Sequence, residues 1–216
     1  MPKPYSSTDT PSHKRLIILD FDHTVFNTTA FVAAQQQQLE KKFNIDKETF
    51  TSVRKSVKDC CTVIDIDTFV ASLPHEDKSG LHAAIHETAK RAAEWIFSDV
   101  EAFLSAHASH FDILIQTHGD KELQTEKIMH ANLPDDIRFL ISTKPKEKVI
   151  ADFVHQYEHI YIIEDKQTNI DAIKQTFPEV TAYFIARKED HPYKDDCPVC
   201  KGEDHAIESL NFTIPQ

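Results

Sequence analysis

The stretch "LIILDFDHTVFNT", residues 16–28, sets Leu16, Ile17, Ile18 and Leu19 directly before two carboxylates, Asp20 and Asp22. Four consecutive aliphatic residues have the composition of a strand covered on both faces, as in a parallel sheet. The acids then fall at the strand's C-terminal end. In open α/β sheets that edge is where ligands bind, so charge placed there points to chemistry rather than packing. An Asp-x-Asp pair also occurs in solvated turns, so the pair needs support from the rest of the chain.

Four more apolar runs supply it: "FDILIQTHGD" (111–120), "IRFLIST" (137–143), "HIYIIED" (159–165) and "TAYFIAR" (181–187), separated by helical patterns at 120–131, 146–157 and 168–177. Alternating strands and helices predict βαβ units and a parallel sheet. "HAIESL" near the C-terminus adds an edge strand or a short contact. Between the first strand and the others, residues 28–97 read as helix after helix. Phe31, Leu39 and Phe43 share one face, Asp46 is placed to cap a helix starting at Lys47, and helical patterns continue at 65–73 and 77–97. Leu81, Ile85, Ala89, Ala92 and Ile96 line the face of the last. Seventy residues of helix exceed a connection and predict an inserted helical cap. The expected organisation is an α/β core of residues 13–27 and 98–216, a cap of residues 28–97, and a flexible segment of residues 1–12. Trp95 and the Phe residues of the cap are read as core.

With 216 residues the chain is long enough to bury a sizeable core. Its formal net charge of -11 disfavours nucleic acid and anionic membranes as partners. The segment "MPKPYSSTDTPSHKR" has no apolar signal-peptide core, and no stretch reaches the roughly 18 apolar residues of a membrane span. The expectation is a cytoplasmic protein, monomer or homodimer, acting on a small molecule. Four cysteines, Cys60, Cys61, Cys197 and Cys200, read as thiols or ligands rather than a disulfide framework. "HPYKDDCPVCKGEDH" (191–205) offers His191, Cys197, Cys200 and His205; one Cys-x2-Cys turn supplies two zinc ligands, so the region is either a structural zinc site or an exposed loop.

In a parallel sheet, Asp20 and Asp22, then Thr117, His118 and Gly119, then Glu164, Asp165 and Asn169 all converge on one rim, with Lys144, Lys146 and Lys148 at a helix start nearby. Order and spacing here resemble the haloacid dehalogenase superfamily of phosphohydrolases. "LDFDHTVFN" resembles its first motif, "ILIQTHG" its second, a Lys before a helix its third, and "YIIEDKQTN" its fourth. The resemblance covers residues 16 to about 170 and implies a Rossmann-like three-layer fold and a phosphatase. It implies Asp20 as nucleophile, forming an aspartyl-phosphate, and Asp22 as general acid and base. It also implies Mg²⁺ held by Asp20, the Asp22 backbone carbonyl and Asp165, with Glu164 and Asn169 close by. It further implies Thr117 as the phosphoryl hydrogen-bond donor, with His118, Gly119 and His23 bordering the substrate. Asn169 equally suits a helix start. "KPKEKVI" leaves two positions for the phosphate-facing lysine, Lys144, which the Lys-Pro match favours, and Lys146.

A cation is also a physical requirement, since two unit negative charges ~4 Å apart repel by about 4 kcal/mol at an effective dielectric near 20. Asp22 separates the chain from the dehalogenase branch, which lacks the second acid. A phosphomutase uses the same phospho-enzyme and stays open. A non-catalytic, partner-binding member would have lost Asp20, Asp22 or Asp165, and a receiver domain would carry its acid after a later strand and lack the insertion.

Overall fold

The computed structural model describes residues 1–60, 63–190, 192 and 202–215. Its strands are β1 (Lys3–Pro4), β2 (Arg15–Asp20), β3 (Asp112–Thr117), β4 (Arg138–Ile141), β5 (His159–Glu164), β6 (Thr181–Ile185) and β7 (His205–Ile207). They form one sheet in the order β1-β4-β3-β2-β5-β6-β7. Every pairing is parallel. The fold is α/β and Rossmann-like.

Helices cover both faces, which is why β2 reads as an unbroken apolar run. Ile17 and Leu19 pack on one side with Val100, Phe103 and Leu104 of α5 (Val100–His107) and Ile128 of α6 (Lys121–Met129). Leu16 and Ile18 pack on the other with Val149 and Ile150 of α7 (Lys146–Ile150) and Ile170 and Ile173 of α8 (Gln167–Thr176). A third apolar cluster belongs to the helical stretch itself: α1 (Thr28–Phe43), α2 (Lys47–Cys60), α3 (Ile66–Ser72) and α4 (Lys78–Ala89) enclose Leu39, Phe50, Phe69, Leu81 and Ile85. Asp46 caps α2 by accepting from Thr49 N at 2.7 Å.

Several boundaries differ from the sequence reading. Residues 1–12 are not a loose arm: Lys3 N donates to Ile137 O (3.0 Å) and Tyr5 N to Phe139 O (2.8 Å), making β1 an edge strand. "HAIESL" supplies the other edge, β7, where the His205 ring lies 4.6 Å from that of Tyr183. The helix expected over 77–97 stops at Ala89, followed by a 3₁₀ turn, Ala92–Trp95. Beyond it the backbone is claimed by the loop after β2, with Asn27 N bonded to Trp95 O at 2.7 Å and Phe97 N to Val25 O at 3.1 Å. Helix α7 ends at Ile150 rather than 157, and α5 carries no expectation from the sequence. His191, Cys197 and Cys200, the other residues of the zinc reading, lie outside the described residues.

The loop after β2 is anchored by a buried arginine. Arg187 donates to Thr24 O through Nε (3.0 Å) and Nη2 (2.7 Å) and to Asp99 Oδ2 through Nη1 (2.5 Å), with its guanidinium 4.1 Å from the centre of the Phe97 ring. Breaking a buried pair strands the remaining charge. Arg187→Met is expected to cost about 3–5 kcal/mol of unfolding free energy, read by urea denaturation.

Candidate active site

Strand register assembles the site. β2 lies between β3 and β5, with Asp20 opposite Gln116 and Leu19 opposite Ile163. Thr117, Asp20 and the Glu164–Asp165 pair therefore finish three adjacent strands at one level, where the chain order reverses direction across the sheet. Asp20, Thr117, Glu164 and Asp165 are all buried.

Lys146 enters from the first residue of α7 and bonds both Asp20 Oδ1 and Glu164 Oε2. Side chains at a helix start lean back toward its N-terminus, which here faces the rim. Lys144, two residues earlier, lies outside the helix with an exposed side chain. The Lys-Pro match that favoured Lys144 is thus corrected: Pro145 occupies the N-cap, and the buried ammonium is that of Lys146. Glu164 Oε1 accepts from Asn169 Nδ2 (3.0 Å) and Lys166 N (3.1 Å), so Asn169 steadies Glu164 rather than standing alone at a helix start.

Asp20, Glu164 and Asp165 each present an oxygen within 4.8 Å of the others. Burial raises the Asp20 carboxyl to about 8; Lys146 opposes this and Glu164 reinforces it. Burial, then Glu164 and Asp20, also raises Asp165 well above its ordinary value. Asp165 Oδ2 is buried and has no hydrogen-bond partner among the described residues. Three carboxylates, one of them carrying that unsatisfied oxygen, form a hard, oxygen-only donor set that fits Mg²⁺, and the Lys146 ammonium offsets part of their charge.

The Asp22 carboxylate points elsewhere. It accepts from Lys127 Nζ (2.5 Å) and Thr28 Oγ1 (2.6 Å) at Oδ1 and from Gln124 Nε2 (2.6 Å) at Oδ2. Burial opposes the charge, yet Lys127, Thr28 and Gln124 outweigh it and hold the carboxyl far below its usual range. Lys127 is itself buried, its ammonium 4.5 Å from the centre of the Phe26 ring and 5.1 Å from that of Phe21. Gly119 matters here because a Cβ on it would stand 2.7 Å from Gln124 Nε2, displacing a donor to Asp22.

His23, expected beside the substrate, has φ +63° and bonds Asp190 Oδ1 at 2.7 Å through Nδ1. Its backbone is left-handed, a conformation that is uncommon for a residue other than glycine. Asp190 also accepts from Thr28 N (2.7 Å) and Thr29 Oγ1 (2.5 Å), tying the start of α1 to the loop after β2. Burial opposes that charge, but the bonds from His23 and Thr29 keep the Asp190 carboxyl low. His118 and Gly119 sit half-buried just beyond β3.

The sequence reading passed over Lys127, Gln124, Thr28 and Asp190. A signal for the first two exists. Leu123, Gln124, Lys127 and Ile128 share the inward face of α6, and two polar residues among apolar ones there require an acidic partner.

In chelator, stability is expected to fall as pH rises from about 4 to about 8. The Asp20 carboxyl sits higher folded than unfolded, so the folded state holds its proton across that window and loses this stabilisation as pH climbs through the upper value. Thermal melts across the range test it; Asp20→Asn is expected to flatten the slope, and saturating Mg²⁺ to restore stability most at the alkaline end.

No family model and no curated protein matches the chain. Solved structures do. A protein described as a haloacid dehalogenase-like hydrolase from Burkholderia xenovorans LB400 superposes with TM-score 0.76 at 15% identity, over 92% of this chain and 94% of that one. The HAD-hydrolase YfnB from Bacillus subtilis, bound to magnesium, gives 0.68 at 16% identity over 92% and 96%. The L-2-haloacid dehalogenase from Xanthobacter autotrophicus gives 0.60 at 12% over 92% and 95%. At these identities the likeness is one of architecture: the chain has the fold of haloacid dehalogenase-like hydrolases.

Proposed function

We propose that the chain is a magnesium-dependent phosphohydrolase that cleaves a small phosphate monoester in the cytoplasm, with α1–α4 serving as the cap over the site. The observation that carries this reading is the buried Asp20, Glu164 and Asp165 cluster, with Asp165 Oδ2 left unpartnered among the described residues. Asp20, Asp165 and Glu164 would hold Mg²⁺, which supplies charge compensation for an arriving phosphate. Asp20 attacks phosphorus, the ester P–O bond breaks, and an aspartyl-phosphate remains. Lys146 neutralises charge beside Asp20, and Thr117 would donate to a phosphoryl oxygen, a role supported by its position one residue beyond the Asp20 partner on the neighbouring strand. Water then attacks phosphorus and regenerates Asp20. Held ionised, Asp22 suits the base that takes this water's proton; to protonate the leaving oxygen it must part from Lys127 and first take up a proton, which the attack by water then returns to it.

The engagement of Asp22 favours one second reading. With Asp22 bound to Lys127, Asp20 is left as the working acid, which suits displacement of halide from a 2-haloacid, and proteins sharing this fold include L-2-haloacid dehalogenases. Parallel assays separate the two. Phosphate release from a panel of monoesters, abolished by chelator and by Asp20→Asn, is the expected result; halide release from 2-chloropropionate without phosphatase activity would overturn it. Lys146→Met is expected to lower phosphate release about 100-fold to 1,000-fold, the scale for losing one stabilising donor.

A further inference from the structure

Away from the acidic rim, α4 lies against α6. His82 and His86 stand one turn apart on α4, their rings stacked with centroids 4.4 Å apart. Glu122 and Glu126 stand at the same spacing on α6. His82, His86 and Glu122 each offer a ligand atom, all within 4.8 Å of one another. Glu126 Oε2 is hydrogen-bonded to His86 Nδ1. A carboxylate only accepts, so in the neutral imidazole, the form that ligates a metal, the proton sits on Nδ1 and Nε2 carries the lone pair. That Nε2 is buried and has no hydrogen-bond partner among the described residues.

We propose that His82, His86 and Glu122 bind a zinc ion that joins α4 to α6, at a site separate from the Asp20 cluster. Two imidazoles and one carboxylate with a fourth position for water are a donor set zinc takes, whereas Mg²⁺ takes oxygens. Glu126 performs the task of the carboxylate that orients a ligating imidazole. Bonds of 2.0–2.2 Å bring tetrahedral ligands to about 3.4 Å apart, a closure that the exposed Glu122 and half-buried His82 side chains make by rotation. The neighbouring charges are compatible. Lys78 Nζ is turned to the carbonyls of Val70, Ala71 and Leu73. Lys90 Nζ lies 3.8 Å from Glu126 Oε1, and Asp67 Oδ1 lies 3.5 Å from His82 Nε2. Because α6 also carries Gln124 and Lys127, the ion would brace the helix that holds Asp22.

The test is calorimetric titration of chelator-stripped full-length protein with Zn²⁺ in excess Mg²⁺, with Co²⁺ absorption as a second readout. One equivalent is expected in the wild type, in Asp165→Asn and in Cys197→Ser/Cys200→Ser, with Co²⁺ bands lacking thiolate charge transfer. His82→Ala/His86→Ala is expected to lose it, and Glu122→Gln, at an exposed position, to weaken it without affecting folding as read by circular dichroism. Glu126→Gln is expected to keep the stoichiometry with affinity about 10–100-fold lower. Absent zinc binding, binding unchanged in the histidine double variant and in Glu122→Gln, or binding lost in Cys197→Ser/Cys200→Ser, would overturn the proposal.

Discussion

One buried ammonium makes the rim of this sheet possible. Lys146 lies between Asp20 and Glu164, and all three side chains are at least nine-tenths withdrawn from solvent. An unpaired carboxylate in such a place is costly enough to take up a proton instead. A single positive charge cannot balance three acids, and the remainder shows as the raised Asp20 and Asp165 carboxyls and an oxygen on Asp165 without a partner among the described residues. The unsatisfied remainder is what distinguishes the cluster from a closed structural salt bridge and suits its oxygens to a cation.

The second acid of the pair obeys the opposite logic. Asp22, two residues from Asp20, is matched by Lys127 and two neutral donors and kept ionised. Neighbouring carboxylates in one loop are thus driven apart in proton affinity by what each faces, a pattern that separates acid, base and nucleophile in enzyme sites generally. Helix α6 delivers that difference, and it starts directly after the β3 end that carries Thr117. Asp120 caps it, accepting from Leu123 N at 2.8 Å, while its other oxygen receives Ile66 N from α3 at 3.4 Å.

The order of the sheet and the rim it assembles were legible in the sequence. The apolar run 16–19 announced a doubly covered strand, and the spacing of Thr117 and Glu164–Asp165 announced their meeting with Asp20. What depended on tertiary competition was not. Helix propensity continues past Ala89, but the loop after β2 takes the backbone of Trp95 and Phe97 for itself. "KPKEKVI" leaves Lys144 and Lys146 as candidates with the Lys-Pro match favouring Lys144, and only the direction in which α7 leaves the rim brings Lys146 to Asp20. Lys127 stands on the inward face of α6 by spacing alone, but only the fold shows which acid it meets and that Phe21, Phe26 and Phe31 surround its ammonium.

The central place of β2 has a consequence for how the chain is made. Its neighbours β3 and β5 begin at Asp112 and His159, so Leu16 to Leu19 leave the ribosome long before either partner exists. At about 5–20 residues per second, roughly 100 residues of delay leave the most apolar segment uncovered for on the order of 5–20 s. The helices α1–α4 emerge in that interval with an apolar cluster of their own, able to collapse locally while β2 waits. A nascent chain of this topology therefore exposes a sticky strand early, the situation that a chaperone binding short aliphatic segments is suited to shield.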